Sequence, residues 1–129
     1  MVYPALTQDA KAIANVLSQK IIGAAIEVHR VLGPALLESA YEECACHELS
    51  SQHLSLERQV PLPIRYKGTL IDCGYRLDLV VGKLVIVEFK AVDKLEPIHE
   101  AQLLTYLRLS TLWLGLLILK DGIRRIVNG

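Results

Sequence analysis

Two apolar rhythms run along this chain, one of helices and one of strands. Over residues 9–32, Ile13, Leu17, Ile21, Ala24, Val28 and Val31 recur at spacings of three and four. That period predicts one amphipathic helix. Glu27 and His29 lie off the stripe and read as exposed or capping groups. Leu32-Gly33-Pro34 interrupts the pattern, since Gly can end a helix and Pro can open the next. A second helix is expected over residues 35–51, with Leu36, Leu37, Ala40, Tyr41, Cys44 and Ala45 on its apolar face. Glu38 sits at the border of that face, in line with Ala45 and Leu49, and reads as partly covered. Glu42 and Glu43 fall further round, towards solvent.

Residues 56–66 form an extended run interrupted by Pro61 and Pro63. Proline cannot donate a ladder bond, so this strand belongs at an edge or carries a bulge. Lys67-Gly68-Thr69 reads as a turn, and residues 70–81 return as a strand with Asp72, Arg76 and Asp78 on one face. A further strand follows a tight turn at Gly82-Lys83. Pro97 then opens a helix, with Leu103, Leu104 and Leu107 on its core side and His99, Gln102 and Tyr106 on another face. Residues 111–119 are a continuous apolar run, as a buried strand requires. Asp121-Gly122 makes a turn, and residues 123–127 a short last strand bearing Arg124 and Arg125. That pair suits a solvated edge, or else a phosphate clamp.

The chemistry concentrates in residues 74–90, where Asp78, Glu88 and Lys90 interrupt Val, Ile and Leu. Side chains alternate along a strand, so Glu88 and Lys90 share a face and Val85, Val87 and Phe89 take the other. Buried charge must be paired or bound to a metal. An Asp and a Glu converging beside a Lys would suit Mg²⁺. A plainer account leaves Glu88 and Lys90 as a salt bridge between strands. The metal reading carries a geometric condition. Asp78 faces Glu88 only if the turn centres on Lys83, with a three-residue loop or a bulge and an unusual backbone at Gly82 or Lys83. A two-residue turn would set Asp78 opposite Val87 and send the acids to opposite faces. Glu38 is open to two readings: a helix N-terminal acid favoured by the dipole, or a third acid reaching the hairpin. Gln102 and Tyr106, four apart, either bond each other or hold an acid, a lysine or a phosphate. Asp72, near a strand start, suits a turn.

Length and composition narrow the class. At 129 residues, 52% hydrophobic and 22% charged, the chain is expected to fold as a single domain over residues 1–129. Such a domain buries roughly two-thirds of the surface of its unfolded chain. The formal net charge is zero, which argues against holding nucleic acid by bulk positive charge. A local basic patch or bound metal ions would be needed instead. Cys44, Cys46 and Cys73 form no Cys-x-x-Cys and read as buried free thiols. Residues 1–7 lack the basic start and apolar run of a secretory signal, and residues 112–119 are too short to span a bilayer, so a cytoplasmic location away from membranes is expected. No phosphate loop, zinc cluster or internal repeat occurs.

The order of helix, helix, strands, Asp…Glu-x-Lys, helix with Gln-x-x-x-Tyr, and strand resembles the PD-(D/E)XK nuclease superfamily. More narrowly, the chain resembles the small bacterial GxxExxY proteins. The matching segments are Ile22-Gly23-Ala24-Ala25-Ile26-Glu27-Val28-His29, Leu37-Glu38-Ser39-Ala40-Tyr41-Glu42-Glu43, Glu57-Arg58-Gln59-Val60-Pro61, Tyr66-Lys67-Gly68, Asp72-Cys73-Gly74-Tyr75-Arg76-Leu77-Asp78, Val87-Glu88-Phe89-Lys90-Ala91, His99-Glu100-Ala101-Gln102-Leu103-Leu104-Thr105-Tyr106 and Lys120-Asp121-Gly122-Ile123. Two departures stand out: the first Gly of the naming motif falls on Ala35, and Ile118-Leu119 runs straight into Lys120 through a shortened connection.

The resemblance implies an α/β (α+β) fold with a restriction-endonuclease-like core, a central mixed sheet flanked by helices. It implies divalent-metal-dependent hydrolysis of phosphodiester bonds in nucleic acid, DNA in the first instance, with Mg²⁺ or Mn²⁺. Asp78, Glu88 and Glu38 match the metal-binding acids. Lys90 matches the lysine that orients or activates water, and Gln102 and Tyr106 match a supporting helical motif. A homodimer would let so small a nuclease span a duplex. The alternative is a catalytically silent module that keeps the fold for binding or assembly.

Overall fold

The computed structural model describes residues 3, 6–33, 35–92, 94–120 and 122–129. The readings made on Pro34 and Asp121, and on most of residues 1–7, lie outside the described residues. Among the described residues the elements are α1 (Gln8–Leu32), α2 (Glu38–Ser50), β1 (Leu56–Pro61), β2 (Ile64–Tyr66), β3 (Thr69–Ile71), β4 (Arg76–Val81), β5 (Val85–Phe89), α3 (Pro97–Ser110), β6 (Leu114–Ile118) and β7 (Ile123–Val127). Five strands form one mixed sheet in the order β1-β4-β5-β6-β7, and β2-β3 is a separate hairpin. β5 and β6 are parallel, joined across the sheet by α3, and the other neighbouring pairs are antiparallel. The expected α+β mixed sheet flanked by helices is therefore present.

Two cores sandwich the sheet. Leu17, Ile21, Ala24 and Val28 of α1 and Tyr41, Ala45 and Leu49 of α2 pack on Leu79, Val85, Val87, Phe89, Leu114 and Leu116. Leu103, Tyr106 and Leu107 of α3 cover Val80, Ile86 and Leu117 on the other side. Each such aliphatic side chain removed from water contributes about 1.5–3 kcal/mol. With apolar residues needed on both faces, β6 reads as an unbroken apolar run and β5 as one interrupted only by Glu88.

Local chemistry sets the ends of the helices. The Thr7 hydroxyl accepts the Ala10 amide at 3.0 Å to cap α1, and Gly33 ends it at φ +78°. Pro97 occupies the first turn of α3, and His99 Nδ1 accepts the Glu96 amide at 3.0 Å, so His99 is a capping group.

Several expectations are corrected. Ile13 and Val31 are exposed, and Ala14, Ser18 and Ala25 are buried in their place, because the covered face of α1 is rotated towards them about the helix axis. His29 is not a solvent group: its Nδ1 lies 2.6 Å from the Tyr41 hydroxyl, which also donates to the Ala25 carbonyl. α2 starts at Glu38 and not at residue 35, which leaves Leu36 and Leu37 in the preceding extended segment. Glu38 and Glu42, both on α2, exchange roles. Glu38 is exposed and Glu42 is 6% exposed. The strand expected over residues 70–81 is two strands, β3 and β4, parted where the Asp72 carboxylate accepts the Gly74 amide at 2.9 Å. Leu104 is only half-buried, beside β7. Cys73 is exposed, while Cys46 is buried; all three thiols are free.

Two expectations about strands hold. β1 is an edge strand that stops at Pro61. β7 pairs with β6 over five residues, from Leu114↔Val127 to Ile118↔Ile123, despite the short connection. Among the described residues, no helix is long and apolar enough to cross a membrane.

Candidate functional site

The register of β4 on β5 decides the site. Val81 pairs with Val85, Val80 with Ile86 and Leu79 with Val87, leaving Gly82-Lys83-Leu84 as a three-residue loop. Gly82 and Lys83 both take left-handed backbone, at φ +60° and +58°. One step further, the same register sets Asp78 beside Glu88. The geometric condition read from the sequence is met.

At that step the main-chain ladder gives way to side chains. Glu88 Oε2 accepts the Asp78 amide at 2.7 Å, and Asp78 Oδ2 accepts the Phe89 amide at 3.0 Å. The regular alternation of β4 also breaks here. Leu77 and Leu79 are two apart, yet they pack in opposite cores. On the neighbouring strand, Gln59 stands between Arg58↔Leu79 and Val60↔Leu77, hence opposite Asp78, and has φ +51°. Distortion on both strands centres on Asp78.

Burial makes these carboxyls hard to ionise. Glu88 is 3% exposed. Burial, then the charge of Asp78, pushes its pKa up to about 8, against the pull of the Asp78 amide and Lys90. Asp78 is also raised, first by burial, with Glu42 and Glu38 adding repulsion and the Phe89 amide and Lys90 opposing it. Lys90 follows directly on β5, half-buried, with its amide bound to the Ile118 carbonyl at 2.9 Å. Lys90 lines a small pocket with Glu38, Tyr41 and Phe89.

Glu38 enters from the N-terminus of α2. Its Oε2 accepts the Ala91 amide at 2.8 Å, tying the helix to the segment after β5. It also lines an open cleft with Glu42, Glu43, Arg58, Gln59 and Asp78. Tyr106 reaches the site from α3: its hydroxyl is raised by burial, then by the charges of Glu88, Tyr75 and Asp78, and its ring packs on Tyr75 at 5.6 Å. Gln102 is half-buried one turn earlier, and among the described residues its side chain makes no hydrogen bond to Tyr106 or to any other group.

Asp78, Glu88, Glu38 and Lys90 thus share one neighbourhood. They do not stand there as a ligand sphere. Each of the three acids is turned onto a backbone amide, and among the described residues no group of three or more His, Cys, Asp or Glu side chains is arranged to hold a metal ion. The donor chemistry nevertheless suits a hard divalent cation. The donors are carboxylate oxygens, and two of them repel each other in a buried setting. A cation there would relieve the burial penalty on both.

One acid of the site was missed in the sequence. Glu42 accepts Arg58 Nε at 3.0 Å, Arg58 Nη2 at 2.8 Å and Gln59 Nε2 at 3.0 Å. The available signal was the four-residue spacing from Glu38, which puts both acids on one side of a helix.

Residues 15–126 match the PD-(D/E)XK nuclease superfamily. The chain belongs to that superfamily, and its mixed sheet with flanking helices is consistent with a restriction-endonuclease-like core. Searches of curated proteins and of solved structures find no match.

Proposed function

We propose that this chain is a divalent-metal-dependent nuclease that hydrolyses phosphodiester bonds of nucleic acid, acting in the cytoplasm as a single domain of the GxxExxY type. The observation that supports this most is the meeting of Asp78 and Glu88 across the β4–β5 hairpin, both raised in pKa, with Lys90 two residues on. Membership of a nuclease superfamily supplies the reaction class and a nucleic-acid substrate. Nucleases of this superfamily generally use divalent metals. Asp78, Glu88 and Glu38 are the residues to hold one, Mg²⁺ or Mn²⁺. Such an ion lowers the pKa of water and offsets charge on the phosphate.

Lys90 contributes on its own account. Its ammonium places positive charge beside Asp78 and Glu88 and opposes the upward shift of both. Its role in this reading is to orient water or a phosphate oxygen. Tyr106 faces the acids from α3, and Gln102, one turn away on the same helix, is the second residue that would support them. The test is nicking of a plasmid or labelled oligonucleotide with and without Mg²⁺. Cleavage should depend on the metal and vanish in Asp78→Ala and Lys90→Ala. Comparing DNA and RNA substrates assigns the nucleic acid, and sedimentation reports any dimer.

A second reading rests on the amide bonds that occupy Asp78, Glu88 and Glu38. A silent module would keep them permanently. Calorimetry with Mg²⁺ or Mn²⁺ separates the two readings: heat in the parent that is lost in Glu88→Ala supports the nuclease, and no heat in the parent supports the module.

A further inference from the structure

We propose that Arg58 is a substrate-phosphate contact of the cleft, holding Glu42 throughout and exchanging Glu43 for a phosphate oxygen of the bound strand. This inference rests on the nuclease reading above. Its starting point is the distortion at Gln59. Consecutive residues of a regular strand point to opposite faces. The left-handed backbone of Gln59 lets Arg58 and Gln59 donate to the same carboxylate, that of Glu42. Glu42 is the buried member of the cluster, with a side chain 8% exposed, so this anchor is durable.

The other contact of Arg58 differs in kind. Nη2 also reaches Glu43 Oε1 at 2.7 Å, but the Glu43 side chain is 67% exposed. Ion pairs of that sort contribute little in water. Arg58 Nη1 makes no hydrogen bond among the described residues. The guanidinium therefore keeps one fixed edge and one exchangeable edge, and its planar fork matches phosphate oxygens. The location fits as well. Among the described residues, Arg58 is the sole cation lining a cleft that otherwise presents Glu38, Glu42, Glu43 and Asp78. Its neighbour Gln59 stands opposite Asp78. A chain with zero net charge has no bulk attraction for a polyanion, so a fixed cation beside the acids carries more of the recognition.

A purely structural Arg58 would only tie β1 to α2, and binding measurements separate the two. The probes are a labelled oligonucleotide duplex and its single strand, followed by anisotropy with Ca²⁺ in place of Mg²⁺, intact strands being verified on a gel. Over about 50 to 200 mM salt, Arg58→Gln should flatten the slope of log affinity against log salt by about 0.9 on duplex, or about 0.7 on single strand. Near-UV circular dichroism of the variant shows that it has folded. Glu43→Gln lies on an exposed helix face and does not depend on that outcome. It should tighten binding roughly twofold to fivefold by freeing the guanidinium. Glu48→Gln, the same change of charge on the same helix outside the cleft, should tighten it less. A slope unchanged in Arg58→Gln, or equal gains in Glu43→Gln and Glu48→Gln, would overturn the inference and leave the nuclease reading standing. A parent that binds neither oligonucleotide would remove both.

Discussion

Asp78 and Glu88 are joined by reciprocal bonds: the Glu88 carboxylate accepts the Asp78 amide at 2.7 Å, and the Asp78 carboxylate accepts the amide of Phe89, next after Glu88, at 3.0 Å. Where the strands separate, the side chains take over the ladder. The bonds satisfy two amides that would otherwise lie half-buried without partners. They also hold two acids side by side at the end of the hairpin.

Stability should fall with rising pH on account of Glu88. Its carboxyl titrates at 4.5 in the unfolded reference and at about 8 in the fold. The folded protein thus keeps a proton that the unfolded chain has released. This contribution is complete below pH 4.5 and is lost as pH rises through about 8. At about 1.4 kcal/mol per pH unit the effect is of the order of a few kcal/mol. Urea unfolding at about pH 5 and about pH 8.5 should show a smaller loss in Glu88→Gln than in the parent. Mg²⁺ should raise the midpoint of the parent more at the higher pH, where the carboxyl is free to ionise.

Removing Lys90 should separate chemistry from metal binding. Lys90→Ala is expected to lower cleavage more than metal affinity, since the ammonium acts on water or phosphate. Nicking rates set against calorimetric affinities check this, and equal losses in both would argue against the role.

Gly82→Ala should destabilise the hairpin. The residue has φ +60°, and a Cβ there would lie 2.7 Å from Leu17 Cδ1. Backbone strain and overpacking together should cost about 1–3 kcal/mol, read as a lower urea midpoint with unchanged m-value.

Breaking the Glu42–Arg58 pair should depend on which partner goes. Arg58→Ala strips a buried carboxylate of its cation and should cost about 1–3 kcal/mol, less than a fully buried pair because Arg58 is partly solvated. Glu42→Met removes the buried charge itself and should cost less. Equal losses in chemical denaturation would show that packing, and not charge, dominates.

Periodicity was a good guide wherever one face decided the outcome. α1, α3, β5 and β6 appear where their apolar spacing placed them, and Pro61 ended an edge strand. It failed where a residue answered to a distant partner. Glu42 looked like a solvent acid because nothing local revealed that Arg58 and Gln59 would reach it from sixteen and seventeen residues away. Glu38 looked partly covered because it lines up with Ala45 and Leu49; in the first turn of α2 it is exposed, and its carboxylate accepts the Ala91 amide. The break between β3 and β4 was hidden because Asp72, Cys73 and Gly74 interrupt an otherwise extended run without a proline.

The order of residues alone determined the helices, the buried strands and the presence of Asp78 and Glu88 on adjoining strands with Lys90 just after the second, because these depend on alternation and spacing along one segment. Only the folded chain decided that the hairpin loop has three residues, that β4 and β1 distort together at Asp78 and Gln59, and that Glu42 is the covered acid. Those outcomes are set by packing between segments far apart in sequence, through the competition for backbone amides and for the Arg58 guanidinium.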